Sequence, residues 1–310
     1  MTEIPEEPEK KETSIRATVD LSTGPLSYLS WAPQDREAAP TVVLLHGGGV
    51  DSASLSWGGI GPRLAHAGYR VIAPDHPGYG HSPSPPLPVT QERLVSYISE
   101  LTDALSLQSY VVGGLSLGGG MTIGHLLDRP HRVTGAMLLG SYGIMHRLSD
   151  GPLSLPRQVM TWAMLRTGVL GATTRWVGTH HAAMAMGMRQ LIRNRAQLTD
   201  ELMDEVMAAT GRPDSFAAFE QWQRDQVRWN RLRTDYSPRL GSIGVPVLVV
   251  HGGRDTGVPV AHARAAARSI PGARLTIVPE AGHWVQRDNP EVVLAAMVDF
   301  LHGLRSGPAA

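Results

Sequence analysis

Residues Val111 to Gly120, Val-Val-Gly-Gly-Leu-Ser-Leu-Gly-Gly-Gly, constrain this chain more than any other stretch. They read as a strand that enters a sharp turn and leaves as a helix, with Ser116 at the bend. Gly114-Leu115-Ser116-Leu117-Gly118 satisfies G-x-S-x-G, a nucleophile elbow that lifts a serine hydroxyl clear of the end of a buried sheet. A serine held in a sparsely allowed backbone conformation presses its neighbours two residues away against each other and against the adjoining strand, so glycine at 114 and 118 has a steric reason. In a chain with 34 glycines the pentapeptide alone is a modest signal, and its setting decides. The β-rich run Ser109 to Val112 before it and the helical run Met121 to Leu127 after it supply strand, turn and helix in the required order.

Strand and helix alternate on both sides of this stretch. Ile15 to Trp31 reads as an opening antiparallel pair at a sheet edge. Thr41 to Leu45 is a continuous apolar run, as a central parallel strand covered on both faces requires, and it ends in His46-Gly47-Gly48-Gly49. A helix from Pro62 to Ala67, a strand from Tyr69 to Ala73, a helix from Thr90 as N-cap to Leu105 and a strand from Val133 to Leu139 follow. From Ser141 to Pro238 the periodicity is helical, over Val159 to Leu170, Thr179 to Arg195, Thr199 to Thr210 and Ser215 to Arg233. The sheet pattern resumes at Val245 to Val250, with a helix Val260 to Ser269, a strand Ala273 to Val278 and a helix Pro290 to Leu304. The expectation is an α/β protein with a doubly wound, mostly parallel sheet built by residues 15–140 and 239–310, and a helical cap inserted at 141–238.

Composition excludes whole classes of function. Lys plus Arg equals Asp plus Glu at 28 each, so no net field draws the chain to nucleic acid or an anionic membrane. There is no cysteine, which removes disulfides, thiolate nucleophiles and Cys-ligated metals. Residues 1–14 carry five glutamates, two lysines and two prolines without an apolar run, unlike a secretory signal, and are expected to form a disordered tail on a cytoplasmic protein. No apolar run approaches the roughly 18 residues that would span a bilayer.

A serine hydroxyl is a poor nucleophile at neutral pH and needs a base. His283 lies on the loop after the final strand, and Asp255 lies on the loop after the preceding one, where it would fix the imidazole tautomer. The order Ser116, Asp255, His283 is that of a Ser-Asp-His triad on a parallel sheet.

With these residues in place, the chain resembles the α/β-hydrolases over nearly its whole length, the N-terminal tail excepted. His46-Gly47-Gly48-Gly49 is similar to the family's oxyanion loop, Asp75-His76-Pro77-Gly78-Tyr79-Gly80-His81-Ser82 to its D-x-P-G-x-G-x-S turn, and Gly252-Gly253-Arg254-Asp255 and Gly282-His283 to its acid and histidine loops. The resemblance implies that the backbone N–H groups of Leu117, Gly48 and Gly49 hold the developing oxyanion, in agreement with the close approach that glycine permits. His46-Gly47-Gly48-Gly49 and His283-Trp284 also resemble the meta-cleavage-product hydrolases, which cut carbon–carbon bonds in vinylogous diketo acids. Those enzymes carry asparagine before the serine, where this chain has Leu115, and a cap arginine for the substrate carboxylate.

Other residues have plainer readings. His46 is expected to be structural, through hydrogen bonds to nearby backbone, and Asp75 to stabilise its turn. His180 and His181 point about 100° apart on a helix, with no carboxylate one turn on, and no metal site is expected there. Met160, Met164, Met184 and Met188, with Trp284, are expected to line a hydrophobic substrate pocket. The cap arginines, among them Arg189, Arg193, Arg195, Arg224, Arg228, Arg231 and Arg233, read as solvated faces from which one could meet a substrate carboxylate. The expected function is cofactor-independent hydrolysis of an ester, thioester or lactone of a small hydrophobic carbonyl compound through an acyl-enzyme. Carbon–carbon bond hydrolysis and a non-hydrolytic ligand-binding or biosynthetic role are the alternatives.

Overall fold

The computed structural model describes residues 14–33, 39–212 and 214–306, so all but Ser14 of the expected N-terminal tail lies outside the described residues. Eight strands form one sheet: β1 (Ile15–Leu21), β2 (Gly24–Trp31), β3 (Thr41–Leu45), β4 (Arg70–Pro74), β5 (Tyr110–Leu115), β6 (Val133–Leu139), β7 (Val247–Gly252) and β8 (Arg274–Val278). Their spatial order is β1-β2-β4-β3-β5-β6-β7-β8. β2 pairs antiparallel with β1 and β4, and every pairing from β4 to β8 is parallel.

The central strands β5 and β7 are buried along their whole length, while β1 and β8 at the edges are half exposed. Alternate residues of each strand supply two cores, one on each face of the sheet. Val43, Leu45, Val112, Leu138 and Val249 pack on one face, and Val42, Leu44, Val111, Met137 and Leu248 on the other.

Tertiary packing overrides local propensity around the elbow. β5 continues through Gly113 and Gly114 to Leu115, paired with β3 and β6, and the following helix (Leu117–Asp128) begins at once and includes Gly118, Gly119 and Gly120. Glycine is a poor helix former, which hid this start. A Cβ at 119 would collide with the Ser141 side chain, and one at 120 would lie 3.0 Å from Tyr142, so close packing dictates both.

Between β6 and β7 the described residues form five α-helices, Ser154–Arg166, Val169–Gly178, His181–Leu191, Asp200–Thr210 and Ala217–Gln226. Gly168, at φ 78°, breaks the expected first helix in two. The expected helix to Arg233 stops at Gln226, where Val227 and Leu232 form an antiparallel bridge. Among the described residues no helix is long and apolar enough to cross a membrane.

Candidate active site

Parallel strands end on one side of the sheet, and the loops leaving β3, β5, β7 and β8 bring His46 to Gly49, Ser116, Asp255 and His283 together there. Ser116 has φ 51° and ψ −112°, a conformation that costs a non-glycine residue about 1–3 kcal/mol. Its backbone is held on both sides. The N–H donates to the Leu139 carbonyl at 2.8 Å, and its carbonyl accepts from Gly120 N at 3.0 Å and Tyr142 N at 2.9 Å. A Cβ at 114 would collide with the Gly118 backbone, and one at 118 would meet the carbonyl oxygens of Leu45 and His46.

His283 Nδ1 donates to Asp255 Oδ2 at 2.8 Å, which leaves Nε2 as the free imidazole nitrogen. Asp255 Oδ1 accepts from the N–H groups of Gly257 at 2.7 Å and Val258 at 2.9 Å. Burial works to raise the Asp255 carboxyl, but the hydrogen bond and charge of His283, with His251 and the Val258 N–H, outweigh it and hold the group below its ordinary value. The acid is therefore ionised at neutral pH.

The glycine loop after β3 rests on a buried histidine pair. His46 and His76 stack with ring centroids 3.7 Å apart. His46 Nε2 accepts from His76 N at 3.0 Å, so its proton lies on Nδ1 and is donated to the Gly47 carbonyl at 2.7 Å. Burial pulls the His46 pKa down to about 3, which keeps the ring neutral. Asp51 accepts from Gly47 N at 2.6 Å and Ser56 Oγ at 2.7 Å, and burial raises its pKa to about 6. With Gly47 N engaged, the N–H groups of Gly48, Gly49 and Leu117 have no hydrogen-bond partner among the described residues. Leu117 opens its helix, where such donors are unpaired by construction.

Ser116 and His283 line one cavity of about 360 Å³, as do Gly48, Gly49, Leu117 and Trp284. Most of its remaining wall comes from the segment between β6 and β7, chiefly Tyr142, Met145, Phe219 and Trp222, with Val50 after β3 and Gly257 and Val258 after β7. Among the described residues no Lys, Arg, Asp or Glu lines it. The histidine loop is joined to that segment through buried Asp288, which accepts from Gly282 N at 2.5 Å, Arg193 N at 2.8 Å and Asn194 N at 2.7 Å.

A family model described as the alpha/beta hydrolase fold matches residues 40–290. The chain belongs to this family. It is accordingly an enzyme of the hydrolase class. Among its relatives is the 2-hydroxy-6-oxo-6-phenylhexa-2,4-dienoate hydrolase of Burkholderia cepacia, 27% identical over 300 residues that cover 94% of this chain and 98% of the relative. The meta-cleavage product hydrolase CumD of Pseudomonas fluorescens shares the fold with a TM-score of 0.76 at 22% identity, over 93% of this chain and 97% of that one. The carboxylesterase CesB of Bacillus subtilis does so with a TM-score of 0.72 at 24% identity, over 94% and 92%.

In this hydrolase the expected pocket methionines lie elsewhere. Met184 and Met188 are buried in a hydrophobic cluster, Met164 is half-buried and Met160 is exposed; none of the four lines the cavity. Helix His181–Leu191 turns Met184 and Met188, one turn apart, inward as a packing stripe. Sequence reasoning missed Phe219, Gln223 and Gln226, which share one face of helix Ala217–Gln226 at i, i+4 and i+7 with Trp222 beside them. That spacing was the available signal.

None of the arginines singled out from the sequence lines the cavity. Arg224 pairs with Glu220 at 2.8 Å, and Arg233 with Glu92 at 2.7 Å and also with Asp225. Arg212 stands in a second cleft of about 340 Å³ that adjoins the first at Gly49 and Val50, and it donates to the Gly80 carbonyl at 2.5 Å. Asp75 is fully buried and accepts from Ala53 N at 2.9 Å, His81 N at 3.0 Å and Arg16 Nη1 at 2.7 Å, a purely structural set of partners. His180 stacks on Trp176 and donates to its carbonyl at 2.7 Å.

Proposed function

We propose that the protein is a serine hydrolase cleaving an ester, thioester or lactone of an uncharged, hydrophobic small molecule through an acyl-enzyme on Ser116. One observation carries this reading. A cavity walled mainly by aromatic and aliphatic side chains, with Gln223 and Gln226 among them and no Lys, Arg, Asp or Glu from the described residues, contains both the Ser116 elbow and the imidazole of the Asp255–His283 pair. Ser116 Oγ attacks the substrate carbonyl while His283 Nε2 takes its proton, and Asp255 stabilises the imidazolium. The N–H groups of Leu117, Gly48 and Gly49 receive the oxyanion. His283 then protonates the leaving oxygen or sulfur, and a water molecule activated by the same nitrogen releases the acid. Residues 141–238 act as the cap that closes this cavity and sets substrate size.

A second reading is carbon–carbon bond hydrolysis. Two observations favour it: the activity named for the Burkholderia cepacia relative, and Arg212 in the adjoining cleft, where a substrate carboxylate would find a cation. Against it stand fully buried Leu115 before the serine and the uncharged reaction cavity. A panel of p-nitrophenyl esters of increasing chain length, lactones and a 2-hydroxy-6-oxo-dienoate separates the two. Ester or lactone turnover with kcat/KM at least about 100-fold above that of the dienoate is expected. The opposite ratio, abolished in Arg212→Ala, establishes carbon–carbon cleavage instead.

A further inference from the structure

β7 runs into His251-Gly252-Gly253-Arg254-Asp255, and the histidine that opens this run has no part in the chemistry above. His251 is fully buried and does not line the cavity. Its Nε2 lies 2.8 Å from the Val258 carbonyl oxygen and 3.3 Å from Asp255 Oδ2. A carbonyl only accepts, so Nε2 carries the proton, and that N–H is shared between the carbonyl and the carboxylate. Nδ1 has no partner among the described residues, and nothing there would stabilise a second proton.

The oxygen that His251 approaches is the one that receives His283 Nδ1 at 2.8 Å, while the other carboxylate oxygen is taken by Gly257 N and Val258 N. Asp255 is thus held from four sides. Of the four groups, only His251 is rooted in the sheet, where it pairs in register with Ile277 of β8. The other three stand on loops.

We infer that His251 is a positioning residue for the acid: it anchors Asp255 Oδ2 in line with His283 Nδ1 and, by donating to the same oxygen, limits how strongly that oxygen holds the imidazolium. This rests on the assignment of Asp255 and His283 as acid and base. The sign of its electrostatic effect follows. A donor on Oδ2 draws charge from the carboxylate and makes protonated His283 less stable, so losing that donor raises the pH at which His283 gives up its proton. The acidic limb of kcat/KM then moves to higher pH. The titratable groups acting on His251 are Asp255, His283 and His262; His262 is itself paired with Asp150 at 2.9 Å and keeps that partner when His251 is changed.

The test compares His251→Leu with His251→Gln, whose amide nitrogen reaches the place of Nε2, using p-nitrophenyl butyrate and a fluorophosphonate probe. His251→Leu is expected to lower kcat roughly 10-fold or more with KM within about twofold, and to raise the acidic limb by about half a pH unit. His251→Gln is expected to restore kcat to within about threefold of the parent and to return the limb. Parental kcat and pH profile in folded His251→Leu overturn the inference, as do equal losses in both variants with the limb unmoved, which mark packing alone. Should His251→Leu fail to fold, His251→Gln decides: a parental limb and near-parental kcat support the role, and a large loss overturns it. Ser116→Ala with the same probes separates this from failure of the underlying assignment. If that variant keeps turnover and labelling, the acid–base assignment falls; if it loses both while the His251 variants behave as the parent, only the present inference falls.

Discussion

Ser116 occupies a backbone conformation that pushes its neighbours at two residues' distance into van der Waals contact, and the site depends on those neighbours having no Cβ. At 118 the obstacle is main chain: a methyl group would meet the carbonyl oxygens of Leu45, at the end of the β3–β5 pairing, and of His46, which accepts from His76 Nε2 at 2.9 Å. Gly118→Ala is expected to cost about 2–3 kcal/mol, the usual range for overpacking a rigid site, and to lower Tm by roughly 3–5 °C in a thermal melt. Gly187 in helix His181–Leu191 makes the comparison, because a Cβ there meets nothing within 4 Å. Gly187→Ala is expected to stabilise by up to about 1 kcal/mol through helix propensity.

At the scale of elements, the site depends on how the histidine loop is tied to the segment above it. Asp288 gathers N–H groups from Gly282, next to His283, and from Arg193 and Asn194, just past helix His181–Leu191. Asp288→Ala would leave the buried Gly282 N–H without its acceptor and release the Arg193 and Asn194 N–H groups nearer the surface, and a loss of about 2–3 kcal/mol in urea denaturation is expected, together with a kcat reduced roughly 10-fold as His283 loosens. Elements of this kind mark what a sequence can disclose. β3 and β6 were legible to the residue, because both read as unbroken apolar runs between turn residues, and the places of Ser116, Asp255 and His283 after β5, β7 and β8 were legible because each follows a strand pattern, while their catalytic roles belong to the proposed function. The early start of helix Leu117–Asp128 was not legible, since its glycines answer to Ser141 and Tyr142 rather than to helix propensity. Nor was the cavity wall. Met184 and Phe219 are both apolar residues on amphipathic helices, and only the docking of each helix decides which faces the core and which the cavity.

For the whole molecule, the buried histidines set a dependence of stability on pH. Burial is the largest cause in each case: it lowers His46 to about 3 and His125 to about 4, and holds His76 well below its ordinary value. Unfolded, all three would titrate near 6.5. Between those values the unfolded chain binds more protons, so stability is complete above about pH 6.5 and is lost as pH falls. Asp51, raised to about 6, opposes this by one proton between its ordinary 3.8 and that value. The balance gives a slope of roughly 2–3 kcal/mol per pH unit between pH 6 and 5, read from urea midpoints; a flat profile there would show that these rings are not buried neutral. Catalysis as proposed above stands apart from this stability dependence, since on that reading it rests on one activated hydroxyl. The most direct measurement is peptide mapping by mass spectrometry after treatment with a fluorophosphonate. One adduct on Ser116 is expected, with none in Ser116→Ala, whose kcat falls about 10⁴-fold or more while the fold persists; an adduct mapping elsewhere, or near-parental turnover in that variant, would contradict the account.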